Sequence, residues 1–341
     1  MRVAKYYNNN DIRLEEMPTP EIGPGELLVK VIASGICGSD VTEWYRIKKA
    51  PLVLGHEIAG DIVEVGDGVS GYKEGDRVFV SHHVPCGECR YCLDDHESCC
   101  DTLRTTNFEP GGFSEFIKIP EINVEKGTYH IPDEVSYEDG VFVEPLACVV
   151  RGQKFAKIGS GDTVLVLGSG IVGLLHIKLA KVNRAGRVIA TDVNEYRLDA
   201  AVKSGADAVI DGREDVPAKV RELNEDRLAD VVIVCTGAIP AIKQSLHSVD
   251  SGGTILFFAP TDPGTEIPIP FNELWREEIT MVSSYAGCPE DIEEAMELLR
   301  SGDVKVEDMI THRLGLEETR KGFQLVEKAE DSIKVIIEPW K

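Results

Sequence analysis

Six residues, Gly168-Ser169-Gly170-Ile171-Val172-Gly173, constrain this chain more than any other stretch. The apolar run 163–167 leads into them, and a pattern with helical spacing, 171–181, leads out. A strand, a glycine turn and a helix in that order make a dinucleotide-binding turn. The first glycine makes the tight turn, the second lets backbone approach a pyrophosphate, and the third lets helix and strand pack closely. The helix start then offers free N–H groups and partial positive charge to phosphate. A second apolar run, 187–191, ends in Asp192, 24 residues after Gly168. An acid there hydrogen-bonds the ribose hydroxyls of NAD and repels the 2′-phosphate of NADP. Arg197 is the opposing signal, because a guanidinium accepts a 2′-phosphate.

From about residue 150 the apolar runs recur at 163–167, 187–191, 206–210, 230–234 and 254–258, with helical patterns between them. Alternation of this kind predicts a doubly wound parallel sheet. A further strand is expected over 279–284, then helices over 289–300 and 317–328 and a last strand over 333–337. Before 150 the grammar is different. Short apolar runs alternate with Pro and Gly turns, which predicts a β-rich domain. The expected division is 1–149, 150–286 and 287–341, with the last segment too small for a core of its own and completing the first.

The 341 residues carry 36 basic and 59 acidic side chains, a formal net charge of −23. That balance argues against a nucleic-acid or anionic-membrane partner. No apolar run is long enough for a membrane span. The start, Met1-Arg-Val-Ala-Lys-Tyr-Tyr, reads as a first strand rather than as the apolar core of a signal peptide, so a cytoplasmic location is expected.

Five of the nine cysteines fall between Cys86 and Cys100. Cys86, Cys89, Cys92 and Cys100 have the spacing C-x2-C-x2-C-x7-C, which suits a closed tetrahedral zinc site of structural type. Cys99 is an alternative fourth ligand that spacing does not exclude. Cys37, His56 and Glu144 are scattered, and spacing does not join them.

Taken together, Gly55-His56-Glu57, Gly60, Gly66 and Val69 reproduce the zinc signature G-H-E-x2-G-x5-G-x2-V. With Cys37-Gly-Ser39-Asp40, the four-cysteine loop, 111–115 and the nucleotide turn, the chain resembles the zinc-dependent medium-chain alcohol and polyol dehydrogenases over nearly its whole length. Val143-Glu144-Pro145-Leu146 is similar to the sorbitol dehydrogenase branch. The resemblance implies an α/β protein with a GroES-like β-rich catalytic domain and a Rossmann coenzyme domain. It implies a catalytic zinc held by Cys37, His56 and Glu144, with Glu57 as ligand or neighbour, Asp40 behind the histidine, and Ser39 passing the alcohol proton outward. The coenzyme contacts it implies are Gly168, Gly170, Ile171, Val172, Gly173, Asp192, Arg197 and Thr236.

The expected reaction is hydride transfer from a secondary alcohol, polyol or sugar-like, to NAD, giving a ketone. A homodimer or homotetramer is expected by the same resemblance. Two departures stand out. Thr42 occupies the place where many relatives carry a histidine of the proton path. His83 resembles a pocket histidine of threonine dehydrogenases and is a candidate for substrate contact or proton relay, so an L-threonine 3-dehydrogenase-like activity is the rival enzyme reading. A non-catalytic nucleotide-binding relative is the rival outside enzymes, and it would be marked by missing zinc ligands.

Overall fold

A computed structural model describes all residues, 1–341. The chain forms two compact units, Met1–Ala147 with Gly287–Lys341, and Cys148–Ala286.

The first unit is built on strands rich in β-branched residues. Its larger sheet orders Ile310–Gly315, Lys334–Glu338, Leu27–Gly35, Glu57–Val65, Arg77–Val80 and Thr128–His130, with Phe116–Ile119 also paired to Leu27–Gly35. A smaller sheet places Arg2–Asn8 between Asp11–Glu16 and Leu52–Val53. Leu27–Gly35 runs antiparallel to Glu57–Val65 with Gly35 opposite Glu57, and antiparallel to Lys334–Glu338 on its other side. The last strand of the chain is therefore a near neighbour of the first long one. Two apolar clusters hold the sheets. One gathers Leu27, Val29, Ile58, Ile62 and Val78, and the other gathers Val3, Tyr6, Phe113, Phe323 and Ile337.

The signature glycines have a packing reason. A Cβ on Gly60 would lie 2.2 Å from the Lys30 carbonyl oxygen of the neighbouring strand. One on Gly66 would lie 2.1 Å from the Gly23 carbonyl oxygen. Backbone cannot yield as a flexible side chain does, so only glycine lets these segments approach.

The second unit is a six-stranded parallel sheet ordered Ala208–Asp211, Arg187–Asp192, Thr163–Leu167, Ala229–Val234, Val249–Phe257 and Thr280–Ser283. The chain reverses direction of travel between Thr163–Leu167 and Ala229–Val234, the switch point at which α/β sheets bind ligands. Thr163–Leu167 is buried along its length. Each of its large apolar side chains contributes about 1.5–3 kcal/mol relative to exposure. Helices Ile171–Val182, Glu195–Lys203, Val216–Leu223 and Ile239–Ser248 connect the strands. Asn194 and Asp215 cap two of them through their side-chain oxygens.

The expected helices and strands after 287 are present as Pro289–Ser301, Thr319–Lys328 and Lys334–Glu338. Val143–Ala156 is a 14-residue helix that the sequence reading did not mark. Pro145 obscured it, yet Pro145 lies in the first turn, where its missing N–H costs nothing. No helix is long and apolar enough to cross a membrane.

Candidate metal centres and coenzyme site

The cysteine loop folds around one point. Ligand atoms of Cys86, Cys89, Cys92 and Cys100 all lie within 4.8 Å of one another. The Sγ separations are 3.8 Å for Cys86–Cys92, 3.5 Å for Cys89–Cys92 and 3.6 Å for Cys86–Cys100. A tetrahedron with zinc–sulfur bonds of about 2.3 Å has sulfur–sulfur edges of about 3.8 Å, so the cavity fits that ion. The same separations are far too long for disulfides. The Cys89 N–H points at Cys86 Sγ at 3.3 Å and the Cys86 N–H at Cys100 Sγ at 3.5 Å. Burial alone would raise the Cys100 thiol, but the Cys86 and Leu103 amides outweigh it and bring it down to about 6. Cys99 lies outside the four-sulfur group.

A second cluster joins residues that spacing left apart. Cys37 follows the strand Leu27–Gly35, and His56 immediately precedes Glu57–Val65. The antiparallel register of those strands brings the two ends together. Ligand atoms of Cys37, His56 and Glu57 lie within 4.8 Å of one another. Asp40 is fully buried, and its Oδ1 stands 3.4 Å from His56 Nδ1 while its Oδ2 accepts the Cys37 N–H at 3.1 Å. That contact assigns the imidazole proton to Nδ1 and leaves Nε2 as the donor atom for a metal. Burial alone would lower the His56 pKa, but the Asp40 charge and hydrogen bond override it and raise it well above the usual value. A thiolate, an imidazole and a carboxylate form the three-donor set of an open zinc site.

Glu57 is held by a partner the sequence reading missed. The Lys334 ammonium pairs with Glu57 Oε2, both side chains being essentially buried, at 0% and 1% exposure. Lys334 also lies 5.6 Å from the centroid of the Phe142 ring. Gly35 makes room for the pair, since a Cβ there would lie 2.2 Å from Glu57 Oε2. The available signal was one lysine inside the apolar run 333–337, on a strand with no wet face to receive it.

Glu144 stands apart from this three-residue group. It is the second residue of the helix Val143–Ala156 and lines a narrow cleft with Ser81, His82, His83, Ala147, Gly287 and Ile292. In this structure the cleft is too narrow to admit a water molecule. His82 and His83 lie just past the strand Arg77–Val80 rather than on it. Their ring centroids are 3.7 Å apart, and His82 is 4.7 Å from the His56 ring. Burial, then the charges of His56, Arg46 and Lys49, push the His83 imidazole down to about 3. Both cleft histidines are therefore neutral, and His82 Nδ1 is buried with no hydrogen-bond partner. Ser39 Oγ accepts a hydrogen bond from Arg46, and Thr42 turns its hydroxyl to the Gly38 carbonyl oxygen.

In the second unit the glycine turn sits at the carboxyl end of Thr163–Leu167. Gly168 has φ +95°, and a Cβ on Gly173 would lie 2.0 Å from the Gly168 carbonyl oxygen. Gly170 starts the helix Ile171–Val182 with no side-chain cap, so the amides of Ile171 and Val172 stay open to a ligand. Asp192 ends its strand, and its carboxylate accepts the Ser169 and Asn194 N–H groups at 2.8 and 2.9 Å. Arg197 Nη1 lies 3.8 Å from where a Gly170 Cβ would be, and its buried Nε has no hydrogen-bond partner. Thr236 flanks the turn from the opposite side, 3.3 Å from a Gly168 Cβ position. A turn that needs glycine at Gly168 and Gly173, free amides and an orphaned guanidinium nitrogen fit a pyrophosphate.

Two outcomes follow from this geometry. Cys100→Ser should lose one of two bound zinc ions and much of its thermal stability while Cys99→Ser keeps both, as measured by elemental analysis and melting. A Cys100→Ser protein with full zinc would transfer the role to Cys99. Lys334→Met should lower stability by about 3–5 kcal/mol, because it leaves a buried carboxylate uncompensated. Adding Glu57→Gln should recover part of that loss, and denaturant titrations showing no recovery would refute the pairing as its cause.

The chain is similar to known proteins over nearly its whole length. The alcohol dehydrogenase GroES-like domain matches residues 23–133, and the zinc-binding dehydrogenase family matches residues 172–301. A sorbitol dehydrogenase of Bacillus subtilis (strain 168) is 32% identical over 351 residues, covering 99% of this chain and 97% of that protein. An L-threonine 3-dehydrogenase of Bacillus licheniformis is 34% identical over 335 residues, covering 95% of this chain and 94% of that one. A solved alcohol dehydrogenase of Escherichia coli CFT073, in complex with NADH, has a TM-score of 0.88 at 27% identity, covering 99% of both chains. The β-rich unit is thus GroES-like and the parallel sheet Rossmann-like, and the protein is an NAD(P)-dependent oxidoreductase acting on a small molecule. The chain belongs to the zinc-dependent medium-chain alcohol and polyol dehydrogenase family.

Proposed function

We propose that the protein oxidises a secondary alcohol of polyol or sugar-like type with NAD, using Cys37, His56 and a carboxylate as the ligands of its catalytic zinc. The observation that carries the reading is the convergence of Cys37, His56 and Glu57 beside Asp40, with Glu144 on the wall of the adjoining cleft. Bound zinc supplies Lewis acidity that eases loss of the alcohol proton, and bound nicotinamide accepts the hydride. The chain's own residues do the rest. Asp40 orients His56, Ser39 handles the alcohol proton, and the neutral His82 and His83 offer hydrogen bonds to substrate hydroxyls without adding charge to the cleft. Glu57, tied to Lys334, serves as ligand or as neighbour, and Glu144 is the alternative carboxylate. Val143-Glu144-Pro145-Leu146 and the similarity to sorbitol dehydrogenase support a polyol.

A second enzyme reading, an L-threonine 3-dehydrogenase-like activity, draws support from His83 on the cleft wall and from the threonine-dehydrogenase relative. The test is coenzyme reduction by metal-replete protein over polyols, sugar alcohols, simple secondary alcohols and L-threonine. Each substrate is run with NAD and with NADP, before and after chelation. Chelator-sensitive turnover of polyols with NAD is expected, and turnover of L-threonine alone would select the rival. Asp192→Asn should raise KM for NAD roughly tenfold, since a charge-assisted hydrogen bond is worth about 1.5–3 kcal/mol. An unchanged KM would remove Asp192 from the coenzyme site.

We infer a homo-oligomer as well. Thr280–Ser283 is an edge strand of the parallel sheet with Met281 exposed, and Phe271 and Trp275 are 70% and 69% exposed on the preceding helix, Phe271–Arg276. An open strand edge beside large apolar side chains invites pairing with a second copy. Light scattering on the purified protein should give a dimer or a tetramer, and Trp275→Glu should shift it toward the monomer. A monomeric parent protein would refute the inference.

A further inference from the structure

Behind Cys37 and His56 the polar network ends in the guanidinium of Arg46. Arg46 closes the short helical turn Glu43–Arg46, and its side chain is 14% exposed. Its Nε donates to the Ser39 carbonyl oxygen at 3.0 Å. Its Nη2 donates to Ser39 Oγ at 2.9 Å and to Asp40 Oδ1 at 3.4 Å. Tyr45 covers the guanidinium, with its ring centroid 4.6 Å from Cζ. One planar cation thus reaches three acceptors on two consecutive residues.

Arginine donates and never accepts, so its bond to Ser39 has one direction. It fills one lone pair of the hydroxyl. The hydrogen of Ser39 must then go to some other group, and the second lone pair stays open. Thr42, at the place where relatives carry a histidine, is turned to its own backbone at Gly38. The same guanidinium holds Asp40, whose remaining contacts are His56 Nδ1 and the Cys37 N–H. A lysine would be a point charge on a flexible stem and would not hold three acceptors in one plane.

We propose that Arg46 is a positioning residue that fixes the Ser39 hydroxyl and the Asp40 carboxylate in one geometry. Ser39 then offers its open lone pair to the proton of the reacting alcohol and releases its own hydrogen to solvent water, while Asp40 keeps His56 aimed at the metal. The role rests on the dehydrogenase reading. Because Thr42 does not reach the hydroxyl in this structure, the geometry assigns to Arg46 the task of holding Ser39 ready.

The test uses the metal-loaded enzyme with Arg46→Ala and Arg46→Lys. A misplacement of about 1 Å in a catalytic group costs on the order of 100-fold, so Arg46→Ala should lower kcat by roughly 10- to 100-fold. KM for NAD and the zinc content should stay at parental values. Added millimolar guanidinium should restore part of kcat, and Arg46→Lys should remain below the parent. An unchanged kcat, or a loss that guanidinium leaves untouched, would overturn the proposal. A second readout is independent of turnover. With cobalt in place of the catalytic zinc, Arg46→Ala should shift the visible absorption bands at unchanged cobalt content, because His56 is no longer held in place. An unaltered spectrum would also overturn it. If the parent enzyme oxidises no alcohol, the dehydrogenase reading fails and the cobalt spectra alone decide the role of Arg46. If Arg46→Ala does not fold, Arg46→Gln carries the same two readouts.

Discussion

A carboxylate and an ammonium, both removed from water, sit together at the heart of the β-rich unit. Neither Glu57 nor Lys334 would be tolerated there alone, because desolvating a single charge costs several kcal/mol. Together they place a negative group beside Cys37 and His56 without leaving the interior with a net charge to disperse. Much of the local architecture serves that pairing. Gly35 clears space for the carboxylate, Phe142 lies near the ammonium, and the sheet order brings the last strand against Leu27–Gly35. The Glu57 carboxylate is thus coupled to the sheet as tightly as any apolar core residue.

Charge is distributed against the grain of the whole molecule. The chain carries a net charge of −23. Around the metal cluster and the cleft, however, the cations Arg46, Lys49 and Lys334 stand among the acids Asp40, Glu57 and Glu144, with two histidines held neutral by burial. Deep in a protein, local geometry outweighs the summed field, which water and salt screen over about 8–10 Å. The acidic surface governs solubility, and the local pairing of charges governs the site.

What could be read from the sequence divides by chemical range. The glycine turn and the four-cysteine loop were legible because their residues lie close in the chain and each spacing carries its own mechanism. The parallel sheet was legible from the recurrence of apolar runs. Cys37 and His56 were legible only through a family signature, since they meet through the register of two antiparallel strands. The Glu57 partner lies 277 residues away and announced itself only as a lysine in an apolar strand. Arg46 was hidden for a different reason. Its value lies in three acceptors presented by the folded turn at Ser39 and Asp40, and a linear pattern does not show directions. The helix Val143–Ala156 was masked by a proline that its first turn accommodates.

The separation of Glu57 from Lys334 also has a temporal meaning. Cys148–Ala286 is a compact unit inserted between the two parts of the other. Protein synthesis adds about 5–20 residues per second, so Glu57 leaves the ribosome roughly 15–55 s ahead of its counter-charge. During that interval the Ser34–Gly35 end of Leu27–Gly35 lacks its partner strand, and the acid beside Cys37 and His56 has no ammonium to answer it. The nascent β-rich half then lacks a strand and a counter-charge, while the inserted unit has all of its own strands in hand.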